Sequence, residues 1–217
     1  MNRFKFSEKS GVFFTSDTHF NHTNILRYCN RPFSSIEEHD KTIIENWNKT
    51  VSPDDTVFHL GDFAFAGSDY TTEIISKLNG HIVLIKGNHD HFQDSLLNKF
   101  EACYPQLHIE IGNRSIYLNH YPFATYSGMY RKNPVIQLYA HCHSGPTSLS
   151  GKDTCKLDFL SPYQLDVGMD NFNYTPVSWN QVKEAIQWQI DNKRIYAKRN
   201  LSKWQLFKLN VKKYFIL

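Results

Sequence analysis

The stretch Ile82–Asp90 reads IVLIKGNHD. Ile82–Ile85 is a short, unbroken, branched apolar run, the pattern of a strand buried on both faces. The chain leaves that run through Gly87 and delivers Asn88, His89 and Asp90 as consecutive polar side chains. Working outward, other apolar runs end in the same manner. Val12–Ser16 leads into Asp17 and His19, and Val57–Leu60 leads into Gly61-Asp62. Ile116–Leu118 leads into His120, and Val135–Ala140 leads into His141 and His143. Strands that all end in carboxylate, amide or imidazole imply one site at the carboxyl ends of a sheet.

The segments between these strands set the fold class. Ser35-Ile-Glu-Glu38 is a capping box, and it opens a helix whose apolar face is Ile36, Ile43, Trp47 and Val51. Ile74, Ile75 and Leu78 mark a second helix, stopped by Asn79-Gly80. Phe92, Leu96, Leu97, Phe100 and Cys103 predict a third, ended by Pro105. This alternation argues for an α/β layered fold. From His108 the order changes, because Gly112-Asn113 is a hairpin turn signal between two strands. A mixed second sheet packed on the first is therefore expected. Gln164–Gly168 reads as a last strand, and Ser178-Trp-Asn-Gln181 as the box that starts a last helix along Trp179, Val182, Ile186 and Ile190. Residues 144–163 show no periodicity, and ordered loops of that length often cover active sites.

Composition narrows the class further. A chain of 217 residues with 41% hydrophobic and 21% charged residues is long enough for one substantial core. No window approaches a membrane span, and the N-terminal MNRFKFSEKS lacks the apolar core of a signal peptide. Cys29, Cys103, Cys142 and Cys155 form no CxxC pair or disulfide framework, which fits a reduced, cytoplasmic protein. The net charge of +3 hides an asymmetry, since all eight Lys and Arg of residues 193–217 lie in a stretch without acids. The expected organisation is a catalytic domain over 1–192 and a basic tail over 193–217. In that tail Leu201, Trp204, Phe207, Val211 and Tyr214 recur at helical spacing. Docking on the acidic body is the preferred use of the tail. Self-association as a dimer, or an anionic surface such as nucleic acid, are the alternatives.

The ligand types carry the chemistry. Oxygen and imidazole donors without thiolate suit manganese first, with iron, zinc, cobalt or nickel as alternatives. Asp17, His19, Asp62, Asn88, His120, His141 and His143 are too many for one such ion and suit two, with Asp62 shared. A paired-metal site activates water and clamps the oxygens of an in-line phosphoryl displacement. His89 is left outside that shell, with Asp90 beside it to orient it, and can stabilise developing charge or protonate the leaving group. His59 lies inside its strand and reads as a core histidine. The loop after the first motif carries His22, Asn24, Arg27 and Arg31 without core periodicity, a natural place to grip an anionic substrate. Asp166 and Asp170 could stand behind the ligands as hydrogen-bond partners, but turn-forming acids are the preferred reading.

Taken in order, Asp17-x-His19, Gly61-Asp62, Gly87-Asn88-His89-Asp90, His120 and His141-x-His143 resemble the motifs of the calcineurin-like metallophosphoesterase superfamily. The strings SDTHFNHTNI, HLGDFAF and DVGMDNFNYTPVSW resemble a small bacterial and phage subgroup of predicted phosphoesterases. The resemblance implies a pair of packed mixed sheets flanked by helices. It also implies one ion held by Asp17, His19, Asp62 and His143, and another by Asp62, Asn88, His120 and His141. Ala140 stands where the superfamily usually has Gly before the His pair. The expected activity is hydrolysis of a small nucleotide-type phosphodiester or phosphomonoester. A nuclease on single-stranded nucleic acid and a non-catalytic scaffold are the competing readings, and the complete ligand set argues against the scaffold.

Overall fold

The computed structural model describes residues 4–143 and 160–200, with backbone alone from 192 onward. The strands in chain order are β1 (Phe4–Phe6), β2 (Val12–Thr15), β3 (Thr56–His59), β4 (His81–Ile85) and β5 (Ala102–Tyr104). They continue as β6 (Leu107–Ile111), β7 (Arg114–Leu118), β8 (Ile136–Tyr139), β9 (Gln164–Asp166) and β10 (Val177–Ser178). The helices are α1 (Thr23–Tyr28), α2 (Ile36–Thr50), α3 (Ser68–Lys77), α4 (Asp94–Leu97) and α5 (Trp179–Asn200). One sheet has the order β10-β2-β3-β4-β5, parallel except for β10. The other has the order β1-β6-β7-β8-β9, parallel except for the β6–β7 hairpin. Two mixed sheets flanked by helices are what the sequence implied.

The apolar run of β4 has two faces because the first sheet is sandwiched. Val83 and Ile85 point with Phe14, Phe58 and Leu60 toward Ile109, Ile116 and Leu138 of the second sheet. Ile82 and Leu84 point the opposite way, into a core with Trp47 and Ile43 of α2 and Ile74 of α3. Alternate residues thus enter different cores, and neither face tolerates a polar residue. Each such buried aliphatic side chain contributes about 1.5–3 kcal/mol. The second sheet is closed by α5, whose Trp179, Val182 and Ile186 join the inter-sheet core.

Helix starts follow the expected chemistry with one shift. Ser35 Oγ accepts from Glu38 N (3.2 Å), but the Glu38 carboxylate accepts from Ser34 N (2.8 Å) and not from the cap residue itself. At α5 the box is complete, with Ser178 N donating to Gln181 Oε1 (2.9 Å) and Gln181 N to Ser178 Oγ (3.4 Å). The expected helix through Cys103 is corrected: only Asp94–Leu97 is helical, and Cys103 lies in β5. The open edge of β4 explains this. Lys86 N donates to Tyr104 O and Glu101 N to Ile82 O (2.9 Å each), so strand pairing takes the backbone groups that a longer helix would use. Strands β1 and β10, of three and two residues, were not anticipated. Helix α5 continues unbroken past the expected boundary at 193, while residues 201–217 and most of the long loop, 144–159, lie outside the described residues.

Candidate metal centre

The motif residues leave the carboxyl ends of β2, β3, β4, β7 and β8, and backbone bonds zip their turns together. Asp17 N donates to Gly61 O, His19 N to Asp62 O and Phe20 N to Phe63 O, each at 3.0 Å. Gly61 (φ +97°) and Gly87 are required at the next crossing. A Cβ on Gly61 would lie 2.4 Å from Gly87 N, and one on Gly87 would lie 2.3 Å from Asp62 Oδ1. Asp17, His19, Asp62, His141 and His143 all adopt positive φ, from 45° to 70°. Non-glycine residues in that region cost on the order of 1–3 kcal/mol each, and such strain gathers where side chains must be aimed.

The aim is toward two adjacent groups of donors. Asp17, His19 and His143 each offer one ligand atom, all within 4.8 Å of one another, and Asp62, His120 and His141 do the same. Asp62 lies between them, with Oδ2 3.7 Å from His19 Nε2 and 3.5 Å from His120 Nε2. Asn88 Oδ1 is 3.0 Å from His120 Nε2. His120 Nδ1 donates to Leu60 O (2.6 Å) and His143 Nδ1 to Asp170 Oδ2 (2.8 Å), which leaves both Nε2 atoms facing inward. Asp17 Oδ1 and His19 Nε2 are buried without a hydrogen-bond partner. Orphaned lone pairs of this kind fit a cation.

The electrostatics agree. Burial pushes the Asp17 carboxyl up to about 6, against the pull of His143 and His120 and with a further push from Asp62. Burial would depress His120, yet its bond to Asp62 and the charges of Asp17 and Asp62 raise it to about 9. Burial and the neighbouring His143 and Arg31 charges hold His19 well below the usual imidazole range, so its lone pair is free. These are carboxylates in want of positive charge, beside a His19 imidazole whose lone pair is open.

The remaining expected site residues divide. His89 is exposed at the mouth, its ring 5.7 Å from that of His19. Asp90 does not orient it. The buried Asp90 carboxylate instead accepts from the backbone N–H groups of Asp62 (2.9 Å), Phe63 (2.9 Å) and Gly87 (2.7 Å). It therefore fixes the turn that carries Asp62. His22 is half-buried and stacks on exposed Phe65 at 4.5 Å, while Asn24 and Arg27 are exposed on α1. Arg31 is corrected outright. Its side chain is fully buried, and it donates to both carboxylate oxygens of Asp170 (2.9 and 3.0 Å) and to Asp17 O (2.7 Å). A guanidinium so enclosed cannot meet a substrate.

Sequence reasoning preferred a turn acid at Asp170, which instead lies behind His143 and whose carboxyl is held at about 2. Burial would raise it, but Arg31 and His143 outweigh that. Its only local signal was its position just past a strand end, shared with any turn acid. Cys29 also lies near, its sulfur gathering with donors of His143 and Asp170 within 4.8 Å.

A two-sheet sandwich with paired acid and imidazole clusters at its strand ends suits a metal-dependent hydrolase of phosphoric esters. The chain belongs to the calcineurin-like phosphoesterase family, whose sequence model matches residues 11–173. It is 34% identical over 180 residues to an uncharacterized protein of Methanocaldococcus jannaschii, covering 81% of this chain and 91% of that one. The Gene 66 protein of Mycobacterium phage D29 is 25% identical over 203 residues, 82% of this chain and 96% of that one. The crystal structure of a protein of unknown function from Aquifex aeolicus superposes with a TM-score of 0.59. It has 26% identity and covers 80% of this chain and 97% of that one.

Proposed function

We propose that the protein hydrolyses a phosphodiester or phosphomonoester of a small, nucleotide-type substrate with two divalent ions, manganese first among the candidates. The observation that carries this is the pair of donor groups flanking Asp62, with Asp17 Oδ1 and His19 Nε2 left unpaired between strained turns. Asp17, His19, Asp62 and His143 would hold one ion, and Asp62, Asn88, His120 and His141 the other. Bound there, the ions supply Lewis-acid activation of water and neutralise charge on the phosphoryl oxygens.

The protein's own groups do the rest. Asp90 and the Gly61–Gly87 crossing hold Asp62 in place. His89, exposed at the mouth, would give its proton to the departing oxygen. The aromatic wall beside it supports a base-bearing substrate. Phe65 is 54% and Tyr28 51% exposed, His22 stacks on Phe65, and the Arg27 guanidinium sits 5.3 Å over the Tyr28 ring. Exposed rings next to a phosphate site suit stacking of a nucleobase.

The test is metal analysis together with a substrate panel of mono- and diesters, cyclic nucleotides, dinucleotides and single-stranded nucleic acid in manganese. Two ions per chain and turnover of a small nucleotide ester are expected, and Asp62→Asn should lose at least one ion and most turnover. Two ions retained and near-normal rates in that variant would defeat the shared-ligand reading. Cleavage confined to polynucleotides would replace the small substrate with a nuclease activity.

A further inference from the structure

Behind the Asp17, His19 and His143 group runs a chain of buried polar side chains that hydrolysis itself does not use. Arg31 is its hub. Besides Asp170 and Asp17 O, the guanidinium donates from NH1 to Thr18 O (3.2 Å) and meets His39 Nε2 at 2.8 Å. Arginine has only donors, so His39 Nε2 must be the acceptor and the ring proton must sit on Nδ1. That proton points at Asp40 Oδ1, 2.6 Å away. Asp40 Oδ2 in turn accepts from Asn21 N (2.9 Å) and the Tyr70 hydroxyl (2.8 Å). At the far end, Asp170 receives His143 Nδ1. Asp40, His39, Arg31 and Asp170 are all less than a tenth exposed.

The arrangement is one-sided. His120 is oriented by Leu60 O, and the turn of Asp62 is held by Asp90 and by the bond from His89 N to Asp62 Oδ1. None of the Asp40, His39, Arg31 and Asp170 side chains bonds to His120 or Asp62 there, and the link across is Asp17 Oδ2, which accepts from His141 N (3.1 Å). By contrast, Arg31 holds the carbonyls of Asp17 and Thr18, between the strained φ values of 54° at Asp17 and 48° at His19. Through Asp170 it also sets the ring of His143.

We infer that His39 and Asp40, on α2 and away from the open mouth of the site, are positioning residues chiefly for the Asp17/His19/His143 metal position, acting through Arg31 and Asp170. The inference rests on the two-metal reading. Remote hydrogen-bond partners of metal ligands typically change affinity by about 10–100-fold, and here the change falls on one ion of the pair.

The experiment is a Mn²⁺ titration of metal-free protein, followed by calorimetry and by electron paramagnetic resonance of the spin-coupled pair. His39→Met and His39→Gln have the same length and differ in the acceptor offered to Arg31. His39→Met should weaken one ion by about 10–100-fold and leave the other within about threefold. The coupled-pair signal should give way to that of a single Mn²⁺ at equal metal. His39→Gln, whose amide oxygen can accept from Arg31, should recover most of the loss. Both variants should retain wild-type near-ultraviolet circular dichroism. Should His39→Met not fold, Asp40→Asn takes its place. The two donors Asn21 N and Tyr70 OH would claim the oxygen of the introduced amide, turning its NH₂ toward His39 and forcing the wrong tautomer against Arg31. The same one-ion loss is expected. Both ions weakened alike in a folded variant, neither weakened, or Gln no better than Met would overturn the inference. A wild-type chain that binds no ion would overturn the two-metal reading, and this inference with it.

Discussion

Replacing Arg31 with Met should unfold the metal-free protein at much lower denaturant while exposing no surface to substrate. The reasoning starts from the Asp170 carboxylate, which is fully buried and receives two guanidinium bonds at 2.9 and 3.0 Å. Removing one member of such a pair strands the other charge away from water and costs about 3–5 kcal/mol. The carbonyls of Asp17 and Thr18 also lose a donor, a further cost that overlaps with the first. Total stabilities of single domains are about 5–15 kcal/mol, so roughly a fifth or more is at stake. For a domain of this size the melting temperature should fall by roughly 6–20 °C. Guanidinium melts of Arg31→Met, Asp170→Leu and the double variant, all in chelator, measure the effect. The double variant should be less destabilised than the sum of the singles by about 0.5–3 kcal/mol, since neither charge of the Arg31–Asp170 pair is left without the other. A shift under about 1 kcal/mol in Arg31→Met, or strict additivity in the double variant, would refute the reasoning. A raised KM with unchanged stability would return Arg31 to the substrate loop.

His89→Ala should keep both ions and lose about 10²-fold or more in turnover. The loss should shrink for p-nitrophenyl diesters, whose leaving group departs without a proton, and equal losses for good and poor leaving groups would contradict the acid role. Phe65→Ala should raise KM for nucleotidyl esters about 5- to 150-fold, the loss of one stacking contact, and leave KM for a non-aromatic phosphate ester unchanged. His59 makes the metal-free fold sensitive to acid. Burial pushes its imidazole down to about 3, with Nδ1 accepting from Gly61 N (3.2 Å) and Nε2 bonded to Thr18 Oγ1 (3.0 Å). The unfolded chain takes up that proton near pH 6.5 and the folded chain does not. Its share of stability is therefore complete above pH 6.5 and falls by about 1.4 kcal/mol per pH unit below it. His59→Asn should flatten the stability-against-pH slope between pH 6 and 4 by one proton, and an unchanged slope would show that His59 does not carry it.

Much of this was legible in the chain because the signals are local. An apolar run and the polar residue that ends it are neighbours in sequence, so strand ends and candidate ligands could be read together from Asp17 to His143. The continuous apolarity of Ile82–Ile85 reported a sheet covered on both sides, because each neighbouring pair of side chains must enter opposite cores. Capping at Ser35 and Ser178 was readable for the same reason, within one turn of helix. Contacts across the fold were not. Arg31 and Asp170 are 139 residues apart, and nothing near either one distinguishes an arginine in a solvated loop from one sealed against a carboxylate. Asp90 follows His89 directly, yet its side chain turns to the amides of Asp62, Phe63 and Gly87, a choice made by the crossing of two turns. The spacing of Phe92 to Cys103 fits a helix, and only the open edge of β4 draws its last residues into a strand. Residue type and local period determine which elements form and what chemistry they can carry. Which buried charges meet, and which ligand each of them steadies, depends on burial and long-range pairing, because a charge taken out of water must find its partner wherever the fold brings one.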